Sequence, residues 1–155
     1  MEITQGYSYH IKDDFFDLVQ DKTLMANKEN NNYRPHYYAV KFENDDFLWM
    51  IPISSRVDKY RSIVDAKIKR YKKCNTIVIG RFAGKDNAFL IQNAFPITEK
   101  YLDHIHTVEN IPITIHKDLN KTIITYLKEV LAMRKRGINL IFSDIEKIKK
   151  ILYSN

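Results

Sequence analysis

Two aromatic and β-branched runs, "HYYAVKFE" (36–43) and "DFLWMIPIS" (46–54), flank the polar cluster Glu43-Asn44-Asp45-Asp46, and a basic amphipathic stretch follows the second run directly. Runs of this composition around a polar turn are a hairpin signal. A hairpin here restricts the fold more than any other feature of the chain. It places Tyr33–His36 at the same end as Ser54 and Ser55, with the loop 43–46 at the far end. Trp49, Ile51 and Ile53 alternate onto one face, and Met50 and Pro52 onto the other. Pro52 has no N–H to donate to a ladder, so it predicts a sheet edge or the end of the strand.

The stretch after the hairpin, "SRVDKYRSIVDAKIKRYKKC", sets Val57, Tyr60, Ile63, Val64, Ile68 and Tyr71 on one helical stripe. Its other faces carry Arg56, Lys59, Arg61, Lys67, Lys69, Arg70, Lys72 and Lys73. Upstream, "DDFFDLVQDKTLM" predicts a helix that buries Phe15, Phe16, Leu18, Val19 and Leu24, with Asp13 or Asp14 as cap. "MANKENNNYRP" (25–35) reads as a loop. Downstream, "NTIVIGRF" and "NAFLIQNAFPI" read as strands around a turn at Gly84-Lys85-Asp86-Asn87, and "IPITIH" (111–116) as a short strand. "KDLNKTIITYLKEVLAMRKRG" predicts a helix with Leu119, Ile123, Tyr126, Leu127, Val130 and Leu131 on one face. It stops at a basic last turn followed by Gly137. Ser143-x-x-Glu146 is a capping-box pattern for a last helix. Strands cluster in the middle without regular alternation with long helices. The expectation is therefore α+β: a compact antiparallel curved sheet or partial barrel with flanking helices.

The 155 residues predict one domain, 1–155, able to bury about two-thirds of the surface its unfolded chain exposes. A single cysteine, Cys74, allows no internal disulfide and fits a reducing compartment. No apolar run approaches the ~20 residues of a membrane helix, and the N-terminal stretch lacks the pattern of a signal peptide, so the expected location is cytoplasmic. His104-x-His106 is the only hint of metal ligation, and no cysteine or spaced carboxylate completes a site, so no metal or other cofactor is expected. Four scattered glycines form neither a dinucleotide-binding nor a Walker pattern, and there is no G-x-S-x-G elbow. The formal charge of +6 favours a polyanionic partner.

Hydroxyls, tyrosines and cations remain. RNA cleavage can run on such a set without metal: the 2′-OH is the nucleophile, and the protein aligns it, moves protons and stabilises the phosphorane. Two clusters fit. Ser54, Ser55, Arg56 and Lys59 sit where a strand turns into a helix, whose outward N–H groups favour an anion. Tyr33, Arg34 and His36, in "YRPHY", lie at the same end of the hairpin. On local rules alone Ser55-Arg56-Val57-Asp58 reads first as a plain helix cap, and the two readings are compatible.

"YRPHYYAV", "WMIPISS", the following "KY" and "FLIQNAFPIT" together resemble the type III toxin–antitoxin toxins, the ToxN/AbiQ/CptN family, most closely its CptN branch, in order over nearly the whole chain. The resemblance implies a MazF/Kid-like core and a sequence-selective, metal-independent endoribonuclease leaving 2′,3′-cyclic phosphate and 5′-OH ends. It implies a small repeated antitoxin RNA that the toxin processes into pseudoknots and that closes with it into an inactive assembly, and roles in growth arrest and abortive infection by phage. The family's hydroxyl pair matches Ser54 and Ser55. Its lysine does not match cleanly: Val57 stands in that place, so Lys59, one helical turn beyond Ser55, is the expected cation, with Arg56 as partner or substitute. Tyr33 matches a site tyrosine. Thus Ser54, Ser55, Lys59 and Tyr33 are the candidate catalytic residues, and Tyr9, Arg34, His36, Lys41, Arg56, Arg61, Lys67, Lys69, Arg70 and Lys73 the candidate RNA contacts. The alternatives are a non-catalytic basic RNA-binding module and a MazF-like RNase with a protein antitoxin.

Overall fold

A computed structural model describes residues 1–155. In chain order its elements are β1 (Ser8–Ile11), α1 (Asp13–Val19), β2 (Lys28–Glu29), β3 (Asn32–Tyr33), β4 (His36–Val40), β5 (Leu48–Ser54), α2 (Val57–Tyr71), β6 (Val78–Phe82), β7 (Lys85–Phe89), β8 (Phe95–Ile97), β9 (Leu102–Ile105), β10 (Thr107–Val108), β11 (Ile111–Pro112), α3 (Lys117–Lys135) and α4 (Ile145–Tyr153). Seven strands make one antiparallel sheet in the order β6-β7-β5-β4-β1-β9, with β8 also paired to β5. The fold is α+β, as expected. The sheet curls until Phe82 on one edge strand stacks on His106, just past the other edge strand, with ring centroids 5.6 Å apart.

The β4–β5 hairpin forms in the expected sense, with His36 opposite Pro52, Tyr37 opposite Ile51 and Tyr38 opposite Met50. Both faces of the hairpin are covered. Tyr37, Ala39, Trp49, Ile51 and Ile53 pack with Ile123, Leu127 and Val130 of α3. Tyr38, Leu48 and Met50 pack on the opposite face with Phe15 and Val19 of α1 and with Ile148 and Leu152 of α4. A third, smaller core lies under α2, where Tyr60 meets Ile77, Ala88 and Leu90.

Pro52 corrects an expectation. It lies in the central strand, not at an edge. β5 pairs with β8 through Leu48–Met50 and with β7 through Ile53 and Ser54. Pro52 occupies the changeover between these two partners, where its carbonyl still accepts from Leu90 N–H (3.0 Å). Neither β7 nor β8 has a ladder partner for position 52, so the absent N–H breaks no ladder on that side. The same changeover splits "NAFLIQNAFPI" into two strands around a tight turn at Ile91–Asn93.

Other boundaries also move. Lys12, not an aspartate, occupies the cap position of α1, and Leu24 lies beyond its end. Asp144, accepting from Lys147 N–H, caps α4, while the buried Ser143 hydroxyl donates to Ala94 C=O. Only Ile111 and Pro112 of "IPITIH" pair in a ladder. Three two-residue hairpin turns, Asn30-Asn31, Ala83-Gly84 and Glu109-Asn110, have positive φ at both positions. That is the type I′ geometry that matches strand twist. Ala83, at φ 54°, carries a Cβ there without the side-chain amide that lets asparagine tolerate this region. Ala83→Gly is expected to raise stability by about 1 kcal/mol, the steric cost of a Cβ in this region, read as a higher thermal midpoint.

Candidate nucleic-acid site

Two strand ends and the start of α2 meet at the open end of the β4–β5 hairpin. Ser54, fully buried, ends β5, and Ser55 follows it, exposed. α2 begins without the predicted serine cap. Arg56 occupies the cap position and no side chain caps it. Val57 N–H is taken by Ser55 C=O and Arg56 N–H by Ser54 Oγ. The N–H groups of Asp58 and Lys59 find no partner in the first turn, as helix geometry dictates. They open onto a shallow concavity of about 400 Å³ lined by Ser55, Arg56, Val57, Asp58 and Lys59. A helix start with free N–H groups beside two cations is a physically favourable seat for an anion.

The serine hydroxyls turn the other way, toward Glu29 on β2. Ser54 Oγ donates to one carboxylate oxygen at 2.8 Å. Ser55 Oγ and Ser55 N–H donate to the other at 2.5 and 2.9 Å. Arg34, 4% exposed, adds a guanidinium bond from Nη1 at 2.8 Å, and Nη1 and Nε also donate to the carbonyls of Ile53 and Ala26. Burial alone pushes the Glu29 carboxyl up, but the bonds from Ser55, Ser54 and Arg34 outweigh it and hold its pKa down to about 2. Glu29 is the site residue that sequence reasoning missed. The Asn30-Asn31 pair, a type I′ turn signal, marked the small hairpin that carries it.

The remaining expected residues divide into those brought to this end and those that are not. Tyr33 lies on β3 with its hydroxyl donating to Asp13 (2.8 Å), and that bond raises its pKa. His36 and Tyr9 are wholly buried. His36 packs among Phe16 and Phe95, and Tyr9 Oη accepts from Thr4 N–H, so neither presents a surface to RNA. Strand alternation explains both: each residue's parity puts it on the face covered by α1. Lys41 follows β4 at the opposite end of the hairpin from Ser54. Along α2, Lys69 and Arg70 are exposed. Arg61 is paired with Asp86 at 2.5 Å and Lys73 with Glu129 at 2.7 Å, and Lys67 donates to Thr76. The predicted apolar stripe of α2 is buried only in part, leaving Ile68 and Tyr71 exposed.

His104 and His106 share a side of the sheet with His10. His10 Nε2 lies 2.8 Å from His106 Nδ1, and His104 stacks on His10 at 4.5 Å. Burial, then the neighbouring imidazoles, lowers the His10 pKa to about 4, and burial, then the Arg34 charge, lowers that of His36 to about 3. Unfolding returns both to the ordinary 6.5, so the unfolded chain binds more protons at every pH between these values. Stability therefore falls as pH drops below about 6.5, with a slope of up to about 1.4 kcal/mol per pH unit per fully titrating histidine. Thermal midpoints measured from pH 7.5 to 4 should decline in this window, and His36→Gln should flatten the decline. A midpoint independent of pH would contradict it.

No protein-family model matches the chain, and no curated protein matches it either. Solved structures do. Over 97% of this chain and 99% of the other, the fold is similar to that of AbiQ, a lactococcal anti-phage endoribonuclease belonging to the type III toxin–antitoxin system (TM-score 0.73, 13% identity). A second match is from a bacterial antiviral system regulated by a processed non-coding RNA (TM-score 0.71, 11% identity, 96% and 98% covered). A third is from a study of type III toxin–antitoxin systems with selective toxin inhibition by a non-coding RNA pseudoknot (TM-score 0.69, 15% identity, 97% and 98% covered). The chain thus shares its fold with these three structures over nearly its whole length.

Proposed function

We propose that residues 1–155 act as one endoribonuclease domain, the toxin of a type III toxin–antitoxin system. The end-to-end fold similarity supports the class. The observation that carries the reading is the placement of Ser55, Arg56 and Lys59 around a helix start with free N–H groups, directly after the buried Ser54. In this reading Ser54 and Ser55 position the scissile phosphate, and Lys59 and Arg56 stabilise charge on the phosphorane oxygens. The 2′-oxygen forms its bond to phosphorus as the bond to the 5′-oxygen breaks. The proton lost by the 2′-OH is balanced by one gained at the 5′-oxygen. Tyr33 serves to orient the strand rather than as a base, because its one hydroxyl proton goes to Asp13 and that bond pushes its pKa further above the ordinary value. His36 has no part in the chemistry.

No metal is invoked, and the ends are a 2′,3′-cyclic phosphate and a 5′-OH. The partner that holds the toxin inactive is a small repeated RNA lying along the cationic face of α2. No helix is long and apolar enough to cross a membrane, which is compatible with a cytoplasmic place of action. Purified protein incubated with RNA in EDTA is expected to cut it at preferred sequences, and RNA left intact at all protein concentrations would contradict the proposal.

One observation favours a second reading, a non-catalytic RNA-binding module: Lys69 and Arg70 project from α2 without carboxylate partners. That module would lose all function on charge reversal of Lys67, Lys69 and Lys73 and none on Ser55→Ala. The endoribonuclease separates the two, losing affinity in the first case and cleavage in the second.

A further inference from the structure

Four donors from three residues surround one carboxylate at the mouth of the site: the hydroxyls of Ser54 and Ser55, Ser55 N–H, and the Arg34 guanidinium. This is the donor set that a phosphodiester requires. Carboxylate and phosphate are both acceptor-only anions with a pair of oxygens of similar spread, and a guanidinium binds either. The concavity over Arg56–Lys59 shares Ser55 with this cluster.

The arrangement conflicts with a direct role for the serines in holding RNA. Each hydroxyl has one proton, and both are already given to Glu29. A phosphate arriving while Glu29 stays would meet a carboxylate instead of two donors. Arg34, almost wholly buried, also needs an anion at all times. Exchange of one anion for another satisfies both conditions, and departure of Glu29 without replacement satisfies neither. Glu29 can leave: it sits on a two-residue ladder next to the Asn30-Asn31 turn, and its side chain is 16% exposed.

We propose that the Glu29 carboxylate occupies the seat of an RNA phosphate, and that a bound phosphodiester replaces it on Ser54, Ser55 and Arg34. This rests on the endoribonuclease reading for the identity of the incoming anion. Glu29 then acts as a built-in competitor. An isolated phosphate cannot displace it, whereas an RNA strand gripped by Arg56, Lys59 and the outward N–H groups of α2 can. The device raises the threshold for entry and selects for strands that make the additional contacts.

The test uses the full chain and inorganic phosphate, titrated by calorimetry at constant ionic strength. Glu29→Ala is expected to bind phosphate at least tenfold more tightly than the unmodified protein, and Ser55→Ala in the same background to reverse the gain. Equal phosphate affinity with and without Glu29 would overturn the proposal. If Glu29→Ala does not fold, carboxyl footprinting of the unmodified protein decides. Labelling of Glu29 by carbodiimide and glycine ethyl ester should rise at least threefold on addition of an uncleavable 2′-deoxy oligonucleotide, and unchanged or reduced labelling would overturn the proposal. Neither readout depends on cleavage. A protein that cuts RNA but shows no gain on Glu29→Ala loses only this inference. A gain in phosphate affinity without any RNA cleavage upholds the anion seat and removes the endoribonuclease reading.

Discussion

Ser55→Ala is expected to slow RNA cleavage by about 10²–10³-fold, the usual cost of removing one preorganised donor from a developing oxyanion. RNA affinity should stay within a few-fold, because binding to a strand is dominated by cation–phosphate contacts along α2. Ser55 is exposed, so its loss leaves no cavity. The bond it gives to Glu29 is one of four, and its removal should cost no more than about 1.5 kcal/mol of stability. The prediction is read as single-turnover cleavage rates beside RNA-binding curves for the same preparation. Equal rates for the two proteins would remove Ser55 from the chemistry.

Arg34→Met is expected to destabilise the fold by about 3–5 kcal/mol, the range for stranding one partner of a buried ion pair. Against a total of about 5–15 kcal/mol for a domain, that is a large fraction. Three losses combine. Glu29 keeps its charge without the guanidinium, and the carbonyls of Ala26 and Ile53 each lose a buried donor. Adding Glu29→Leu should recover part of the loss by removing the stranded charge. Urea unfolding of the single and double variants measures both effects. A cost below about 1 kcal/mol for Arg34→Met would mean that solvent, not Glu29, balances the arginine.

The aromatic hairpin and the helices with a long apolar stripe were legible because their periodicity is carried by many residues. Trp49, Ile51 and Ile53 share a core face as the alternation required, and so do Ile123, Leu127 and Val130 of α3. What failed depended on partners remote in sequence. Pro52 reads as an edge residue until β7 and β8 are seen to share β5. His36 looks like a loop-side polar group until α1 covers it. Ser55 looks like a cap because Ser-x-x-Asp fits the local rule, but a carboxylate 26 residues earlier claims its hydroxyl. Glu29 was hidden for the same reason: within "NKENNN" nothing local distinguishes it from a solvated loop residue. The hydroxyls and cations of the candidate site were visible in the sequence, whereas the charge that holds them in this state is a property of the folded chain.

In the proposed reaction this corner cleaves RNA through the substrate's own 2′-OH. The most direct measurement is the end chemistry of RNA fragments produced by the purified protein in EDTA. The 3′ fragment ends are expected to carry a 2′,3′-cyclic phosphate and to resist ligation until opened, and the 5′-OH ends to accept phosphate from a kinase. Fragments with 5′-phosphate and 3′-OH ends, or cleavage that appears only on addition of Mg²⁺, would contradict it.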